Sequence, residues 1–345
     1  MKEYEVTIGI PVYNAGKYIY LSMDSLMAQT FDNIEFLLID DCGTDNTIDI
    51  IRDYQKKHLR GKDIRIVSQP QNMGIGAARN RVLTEAKGKY LYFMDADDEI
   101  AHDTIEKLYN AIKQSDAEMV YGSYELIEGF GERAIKTPFI YPSLSFCKED
   151  EWPNFVYQNY GRIQANTWNF LISLEVIRKN NLRYKLINYW EDFTFTMDLP
   201  TYVNRVVLLP DITYHYYCRN GSASNYQKRS AIDKKEIQDT IQAVDEIKAN
   251  SYRLRHKSYF PYRMRKVMMT DFYIVCSILH QKDIITPSFS THEIHDIMRS
   301  PLSIKEILRF KHERVPNLFL YLLSVLPSGL SVFLMKVISK YRDLI

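Results

Sequence analysis

Residues 34–45 read IEFLLIDDCGTD, a nearly continuous apolar run that ends abruptly in acidic and turn-forming residues. A strand that is apolar on both faces is typical of a parallel sheet covered by helices on both sides. The runs 6–12 (VTIGIPV) and 90–94 (YLYFM) have the same character, and segments with helical spacing of apolar residues separate them. Strands that alternate with helices of this size indicate an α/β fold built from βαβ units around a mostly parallel sheet.

This alternation covers the first 125 residues. The predicted strands are 6–12, 34–39, 64–67, 90–94 and 119–124, and the predicted helices are 17–29, 45–59, 76–86 and 102–114. Residues 126–225 are less regular and rich in aromatics and proline, and long helical patterns begin near 230. We therefore predict a domain boundary near 228, with a helical C-terminal region over 229–345.

Composition excludes several classes of protein. The 345 residues include 44 Lys and Arg against 43 Asp and Glu, and the hydrophobic fraction is 46%. Such a chain is neither disordered nor basic enough for a protein that mainly binds nucleic acid. Its four cysteines form no C-x-x-C pair and the N-terminus has no signal-peptide pattern, so we expect reduced thiols and a cytoplasmic location.

The segment 317–338 (NLFLYLLSVLPSGLSVFLMKVI) carries no charge before Lys336. Pro327, Ser328 and Gly329 divide it into two apolar stretches, each too short to cross a bilayer of about 30 Å. We expect two helices that pack on their own domain or lie in a membrane interface.

Polar residues follow the predicted strands at the positions where parallel α/β sheets bind ligands. Tyr13 follows strand one, Asp40 and Asp41 follow strand two, and DADD at 95–98 follows strand four. Clustered carboxylates repel one another unless a positive group neutralises them. A divalent cation that shares oxygen ligands with substrate phosphates would do so.

The segment 71–80 (QNMGIGAARN) resembles a dinucleotide-binding fingerprint only in part. Gly74 and Gly76 match, but Arg79 stands at the third glycine and the segment follows strand three rather than strand one. We therefore reject a nicotinamide cofactor. The glycines would instead allow a tight turn, and Arg79 would reach a phosphate or a base.

The ordered set IPVYN, DDCGTD, QNMGIGAARN and DADD resembles the nucleotide-sugar domain of family 2 glycosyltransferases, which have the GT-A fold. The resemblance covers about residues 5–225 and implies a nucleotide-sugar part (1–125) and an acceptor part (126–228). It implies a donor that is a nucleotide diphosphate sugar, with UDP-sugars favoured. The family more often has D-D-G-S-T-D where this chain has DDCGTD, which leaves Asp41 in place.

The resemblance also implies roles for individual donor-side residues. Pro11, Val12, Tyr13 and Asp41 would line the base pocket, with Arg79 nearby. Asp95 would contact the ribose, and Asp97 would hold Mg²⁺ or Mn²⁺ against the diphosphate.

Two further segments resemble the acceptor side of the family. In 189–193 (YWEDF) Asp192 would be the catalytic base and Glu191 would bind acceptor hydroxyls. In 214–219 (YHYYCR), followed by Ser222, His215 and Arg219 are candidate diphosphate contacts, His215 alternatively a metal contact. Read on their own, the two acids could simply begin a helix, and the histidine could be a packed residue.

Together these features predict an inverting, non-processive glycosyltransferase that serves glycan or polysaccharide biosynthesis. The Q-x-x-R-W motif of polymer-forming members is absent from the sequence. A sugar-phosphate nucleotidyltransferase is the first alternative, although residues 8–18 lack its glycine-rich loop, and a non-catalytic nucleotide-sugar-binding protein is the second. The acceptor would be a carbohydrate or a lipid-linked glycan.

Net charge is distributed unevenly. From residue 231 onward there are 18 Lys and Arg against 12 Asp and Glu, while the preceding residues have 26 against 31. A basic tail with an apolar end favours peripheral contact with anionic lipid at the inner face of the membrane.

Overall fold

The computed structural model describes residues 3–129, 134–159, 163, 166–187, 190–219 and 230–341. The strands are β1 (Tyr4–Val12), β2 (Ile34–Asp40), β3 (Ile64–Ser68), β4 (Gly88–Phe93), β5 (Glu99–Ile100), β6 (Met119–Glu128), β7 (Ile135–Phe139), β8 (Leu144–Phe146), β9 (Phe170–Ser173), β10 (Val206–Cys218), β11 (Ile232–Asp233) and β12 (Ile285–Thr286). The helices are α1 (Ile19–Met27), α2 (Thr47–Lys57), α3 (Ile75–Glu85), α4 (Thr104–Gln114), α5 (Glu151–Asn159), α6 (Leu174–Lys179), α7 (Glu191–Asp198), α8 (Lys234–Ser251), α9 (Phe260–His280), α10 (Thr291–Ile297), α11 (Ile304–Arg309), α12 (Arg314–Val325) and α13 (Ser328–Tyr341).

The chain forms two compact units. The sheet unit contains Met1–Trp152, Gln164–Leu186 and Glu191–Tyr226, and the helical unit contains Pro153–Ile163, Ile187–Trp190 and Gln227–Ile345. The boundary that we predicted near 228 lies outside the described residues and stays a prediction.

The sheet unit is built around one ten-stranded sheet with the order β3-β2-β1-β4-β9-β6-β10-β5, to which β7 and β8 add at β6 and β10. β3, β2, β1 and β4 are parallel, and β6 and β10 run in the same direction as these four. The predicted α/β fold with a mostly parallel sheet is thus confirmed, and the predicted elements of the first 125 residues match the observed ones to within a few residues.

Residues 126–219 are more regular than we expected. Four short or interrupted strands lie in this region, and β9 inserts antiparallel between β4 and β6. β10 runs for 13 residues but changes register near Ile212, and it contains Pro210. These interruptions hide the strand periodicity in the sequence.

The core of the sheet unit is apolar side chains between the sheet and its helices. Ile8 and Ile10 of β1, Phe36 and Leu38 of β2, and Met23 of α1 are completely buried. β1 and β2 are buried on both faces, which explains why residues 34–39 are almost continuously apolar.

The helical unit packs α8, α10, α12 and α13 around α9, which is buried along most of its length. Three charged side chains of the helical unit, on α8 and α9, are also buried. Lys248 Nζ lies 2.9 Å from Asp271 Oδ2, and Arg263 donates to the hydroxyls of Ser251 (2.8 Å) and Tyr157 (2.6 Å). The apolar segment 317–338 is split between α12 and α13 at the predicted position, and among the described residues no helix is long and apolar enough to cross a membrane.

Candidate active site

The loops after β1, β2 and β4 meet at one edge of the sheet. β1 pairs in parallel with both β2 and β4, with Val12 opposite Asp40 and Gly9 opposite Phe93. The carboxyl ends of the three strands therefore place Tyr13, Asp41 and Asp95 at the same edge. The residues that follow these three strands in the sequence motifs thus lie at one edge of the sheet.

Two hydrogen bonds tie the loop after β1 to the loop after β2. Asn14 Oδ1 accepts from the Thr44 amide (2.7 Å), and Asp45 Oδ2 accepts from the Gly16 amide (2.8 Å). Of the three residues expected to line the base pocket from β1, Pro11 and Val12 are buried in the core, whereas Tyr13 is 51% exposed. Tyr13 is thus the side chain of this group that can stack on a ligand from solvent.

Asp41 is buried and organises the turn that leads into α3. Its carboxylate accepts from Gln69 Nε2 (2.6 Å) and from the amides of Met73 (2.8 Å) and Gly74 (2.9 Å). Gly74 has a φ of 84°, a conformation that favours glycine. Asp41 therefore fixes the glycine turn in addition to any contact with a ligand.

Helix α3 is held against residues 184–185. The Asn80 side chain exchanges hydrogen bonds with the Tyr184 backbone (2.9 and 2.8 Å). A Cβ on Gly76 would lie 2.4 Å from the Lys185 carbonyl oxygen, so only glycine allows this close approach. The motif 71–80 thereby brings α3 close to the segment that precedes α7.

Arg79 lies at the centre of the site. It is 5% exposed, it forms a short ion pair with Glu191 at the start of α7, and its Nη2 lies 3.5 Å from Asp95 Oδ1. Burial alone would lower the pKa of Arg79, but the carboxylates of Asp95 and Glu191 outweigh burial and raise it. Arg79 is thus a permanent cation that connects the loop after β4 to α7.

The acids around Arg79 have perturbed pKa values. Burial raises the pKa of Glu191 to about 7, with Arg79 opposing and Asp192 adding to the rise. Burial also raises the pKa of Asp95, again against Arg79 and with help from Asp97 and Asp192. Asp192 is half-buried on the first turn of α7, next to Glu191. The structure therefore brings together Asp95, Arg79, Glu191 and Asp192, as expected for a functional site.

Glu191 does not fit the acceptor-binding role that we predicted. Its side chain is 7% exposed and its carboxylate is engaged by Arg79, because burial in this position requires a positive partner. Glu191 is better described as the residue that positions Arg79, which leaves Asp192 as the more accessible acid of the pair.

Asp97 and Arg219 form a second ion pair at this edge. Arg219 Nη1 lies 2.7 Å from Asp97 Oδ2, and the guanidinium lies over the rings of Tyr18 (4.1 Å) and Tyr217 (5.0 Å). The Asp97 side chain is 38% exposed, whereas that of Arg219 is 4% exposed. The guanidinium of Arg219, for which we predicted a diphosphate contact, thus lies beside Asp97.

Asp98 is a site residue for which we predicted no role of its own. It is 1% exposed and its carboxylate accepts from the Tyr214 hydroxyl (2.8 Å) and the Tyr217 amide (2.9 Å). Burial, then Asp97 and Asp95, raise the pKa of Asp98 well above its ordinary value. It fixes the 95–98 loop to β10, and its signal in the sequence was the third acid of DADD.

His215 is not brought to the aspartates. Its Nδ1 lies 2.8 Å from Glu125 Oε1, the same oxygen that Lys136 Nζ contacts at 3.0 Å. No contact among the described residues joins His215 to Asp95, Asp97 or Asp98, so the predicted diphosphate or metal role is not supported by its position. Ser222 lies outside the described residues.

The donor atoms of the 95–98 loop suit a hard cation. Asp97 offers a carboxylate whose side chain is 38% exposed, and Asp95 lies two residues before it. Among the described residues no group of three or more acidic, histidine or cysteine side chains is placed to hold a metal. Asp97, with Asp95 near it, would hold Mg²⁺ or Mn²⁺ together with substrate phosphates.

Comparison with known proteins gives one consistent result. Residues 7–189 match the family model "Glycosyl transferase family 2". The chain is 27% identical over 226 residues to glycosyltransferase GlyG of Streptococcus pneumoniae, covering 63% of this chain and 72% of that protein. It is 28% identical to a cholesterol galactosyltransferase of Borreliella burgdorferi over 65% of this chain and 63% of that protein. Staphylococcus aureus TarS 1–349, solved with UDP-GlcNAc, has a similar fold, with a TM-score of 0.65 at 17% identity over 93% of this chain and 90% of that one.

Proposed function

The chain belongs to glycosyltransferase family 2, and from that premise we propose that it is an inverting, non-processive enzyme that transfers one sugar at a time from a nucleotide diphosphate sugar to a hydroxyl group. The family match covers more than half of the chain. The observation that carries the proposal is the chain of contacts Asp95–Arg79–Glu191, which connects the loop after β4 to the start of α7, where Asp192 lies. The Arg79 guanidinium thereby connects Asp95, on the donor side of the site, to the helix that carries the candidate base Asp192.

The donor would lie across the edge formed by the loops after β1, β2 and β4. Tyr13 would stack on the base, with Pro11 and Val12 behind it and Asp41 holding the adjoining turn. Asp95 would accept from the ribose, and Arg79 would favour the ionised form of that carboxylate against the effect of burial. A UDP-sugar is favoured, and the TarS complex with UDP-GlcNAc supports this choice by likeness of fold.

The departing diphosphate would lie beside the Asp97–Arg219 ion pair. Asp97 would hold Mg²⁺ or Mn²⁺, which when bound stabilises the leaving diphosphate as a Lewis acid. Arg219, a buried guanidinium held over two tyrosine rings, would supply a second positive charge toward the same oxygens. His215 has no part in this proposal.

Asp192 would act as the general base. It would take the proton of the acceptor hydroxyl while the acceptor oxygen forms its bond to the anomeric carbon and the bond from that carbon to the diphosphate breaks. Attack on the side opposite to the leaving group inverts the anomeric configuration. Asp192 is better suited than Glu191 because Glu191 is buried and engaged by Arg79.

The acceptor would be a sugar hydroxyl of a growing or lipid-linked glycan, in surface glycan or polysaccharide biosynthesis. The relatives include enzymes named for galactosyl transfer to cholesterol and for glucosyl transfer to poly(ribitol-phosphate). Nucleotide sugars are cytoplasmic and lipid-linked glycans are membrane-bound, so the chain would work in the cytoplasm at the inner face of the cell membrane.

The test compares two substitutions with one control. Asp97→Asn should remove the increase in donor affinity that Mn²⁺ produces, measured by calorimetry with UDP-sugars. Asp192→Asn should leave donor binding intact and lower turnover by roughly 100-fold or more. Asp53→Asn, at an exposed acid of α2, is the matched control and should change neither quantity.

Three results would contradict the proposal. Full turnover in Asp192→Asn would show that another residue is the general base, and Glu191 would then be the next candidate. Retention of anomeric configuration in the product would exclude direct displacement. Release of pyrophosphate from a nucleoside triphosphate would identify a nucleotidyltransferase instead.

A further inference from the structure

The last two helices of the helical unit carry large apolar side chains on their outer sides. Val315 and Phe319 on α12 and Leu330 and Phe333 on α13 are exposed, Val315 by 76% and Phe333 by 61%. They recur at spacings of four and three residues, so on each helix they share one face. This set, together with Leu322 of α12, is called the α12–α13 apolar face.

The opposite sides of both helices are packed. α12 buries Asn317, Leu320 and Leu323, and α13 buries Ser331 and Met335, and both helices contact α9. Ser331 Oγ donates to the Leu323 carbonyl (2.6 Å), which holds the two helices side by side. Since their inner sides are fixed on α9, the α12–α13 apolar face points away from the unit.

The exposed charges in the segment that carries this face, residues 301–341, are of one sign, whereas α10, which also contacts α13, carries exposed Asp296. Every exposed charged side chain in residues 301–341 is basic: Lys305, Arg309, Lys311, Arg314, Lys336 and Lys340. Within the part of the chain that the structure describes, none of these six forms an ion pair. The two acids of the segment are half-buried and engaged, Glu306 by the Tyr252 hydroxyl (2.6 Å) and Glu313 by Arg265 (3.2 Å).

We propose that the α12–α13 apolar face and its basic surround bind the surface of an anionic lipid bilayer. Exposed aromatic and aliphatic side chains would enter the interface, and the basic side chains would contact anionic headgroups. A second copy of the chain fits less well as the partner. A two-fold interface on this face would place the basic side chains of one copy against the same basic side chains of the other. The inference deepens the proposed function by naming the surface that holds the enzyme near a lipid-linked acceptor.

The experiment uses the full chain and sedimentation with vesicles of phosphatidylcholine, with and without phosphatidylglycerol. The unchanged protein should bind the anionic vesicles more than about tenfold more strongly than the neutral ones. The double substitution Phe319→Ser/Phe333→Ser should lower binding to anionic vesicles by about tenfold or more. Leu59→Ser, at a leucine of the sheet unit that is 92% exposed, is the matched control and should bind as the unchanged protein does.

Folding and self-association are checked in the same samples. Thermal stabilisation by UDP should be the same in all variants, which separates a loss of lipid binding from a loss of fold. Equal binding to neutral and anionic vesicles, or undiminished binding by the double variant, would overturn the proposal. It would also be overturned if the unchanged protein sediments as a dimer that the double substitution dissociates without any lipid present. Sugar transfer to an acceptor free in solution tests the proposed function independently, because it does not require the bilayer.

Discussion

The substitution Glu191→Gln tests the electrostatics of the site most directly. Glutamine keeps the shape of the side chain and an oxygen for Arg79, but it cannot ionise. Because burial outweighs Arg79, the pKa of Glu191 rises from 4.5 to about 7 in the folded protein. Between these two pH values the folded state binds more protons than the unfolded state, so the free energy of unfolding falls as pH rises through this window.

The size of the effect follows from the same pKa values. The rise to about 7 corresponds to roughly 3 kcal/mol of cost for ionised Glu191 in the folded protein above pH 7. At pH 5 the folded protein carries neutral Glu191, so Glu191→Gln should change the free energy of unfolding by less than about 1 kcal/mol. At pH 8 the variant should be the more stable protein, by roughly 1–3 kcal/mol.

The assay is urea unfolding at pH 5, 6, 7 and 8, followed by tryptophan fluorescence. Trp168, buried in the sheet unit, makes its signal sensitive to loss of this unit. Glu85→Gln is the matched control, because hydrogen bonding to Arg65 lowers the pKa of Glu85. A lowered pKa contributes stability above the unfolded value, so this control should be destabilised at pH 8, by about 1 kcal/mol or less. A clear loss of stability in Glu191→Gln at pH 8 would refute the reasoning and show that the pair with Arg79 outweighs burial.

Three further substitutions test single contacts. Gly76→Ala places a methyl group 2.4 Å from the Lys185 carbonyl oxygen and should lower the free energy of unfolding by about 1–3 kcal/mol, whereas Gly329→Ala meets no atom within 4 Å and should be neutral or slightly stabilising in a thermal melt. Cys42→Gly should raise the free energy of unfolding by up to about 1 kcal/mol, since Cys42 has a φ of 57°; an unchanged midpoint in urea would show that this conformation costs nothing. Asp98→Ala removes the acceptor of two hydrogen bonds and should cost about 2–4 kcal/mol in urea unfolding, and a loss under 1 kcal/mol would mean that the 95–98 loop is held by other contacts.

The first half of the sheet unit was predictable because its information is local. β1 and β2 are buried on both faces, and each of β1, β2 and β3 is followed by a helix of ordinary length, so apolar runs and turn residues mark their ends. The strands β8 to β10 pair with partners distant in sequence, and β10 combines a register shift with a proline. Their stability comes from neighbours that a local pattern does not contain.

The site was predictable to the extent that strand ends determine it. Asp41 and Asp95 lie where the parallel sheet requires them to lie. The pairing of Arg79 with Glu191 joins residues 112 positions apart, and no spacing in the sequence indicates it. The ligand role expected for His215 came from the family resemblance, and in the structure the histidine has Glu125 as its carboxylate partner.

Cys42 is where this chain departs from the D-D-G-S-T-D pattern that is more common in the family. At its φ of 57° a glycine would be unstrained, and glycine is what the family more often has at this position. The side chain gains a contact in return, since Sγ lies 3.0 Å from the Gln69 carbonyl oxygen.

The insertion of β9 between β4 and β6 has a consequence for how the chain folds during synthesis. β4 and β6 are complete once residue 128 has left the ribosome, but β9, which contacts both, is made only with residues 170–173. Until then each of the two strands has an open edge where its central partner belongs, and open edges recruit other strands. The sheet can therefore close only late in translation, and its dependence on contacts distant in sequence should make folding slow. Nascent chains that stall between residues 128 and 170 would expose these edges to aggregation.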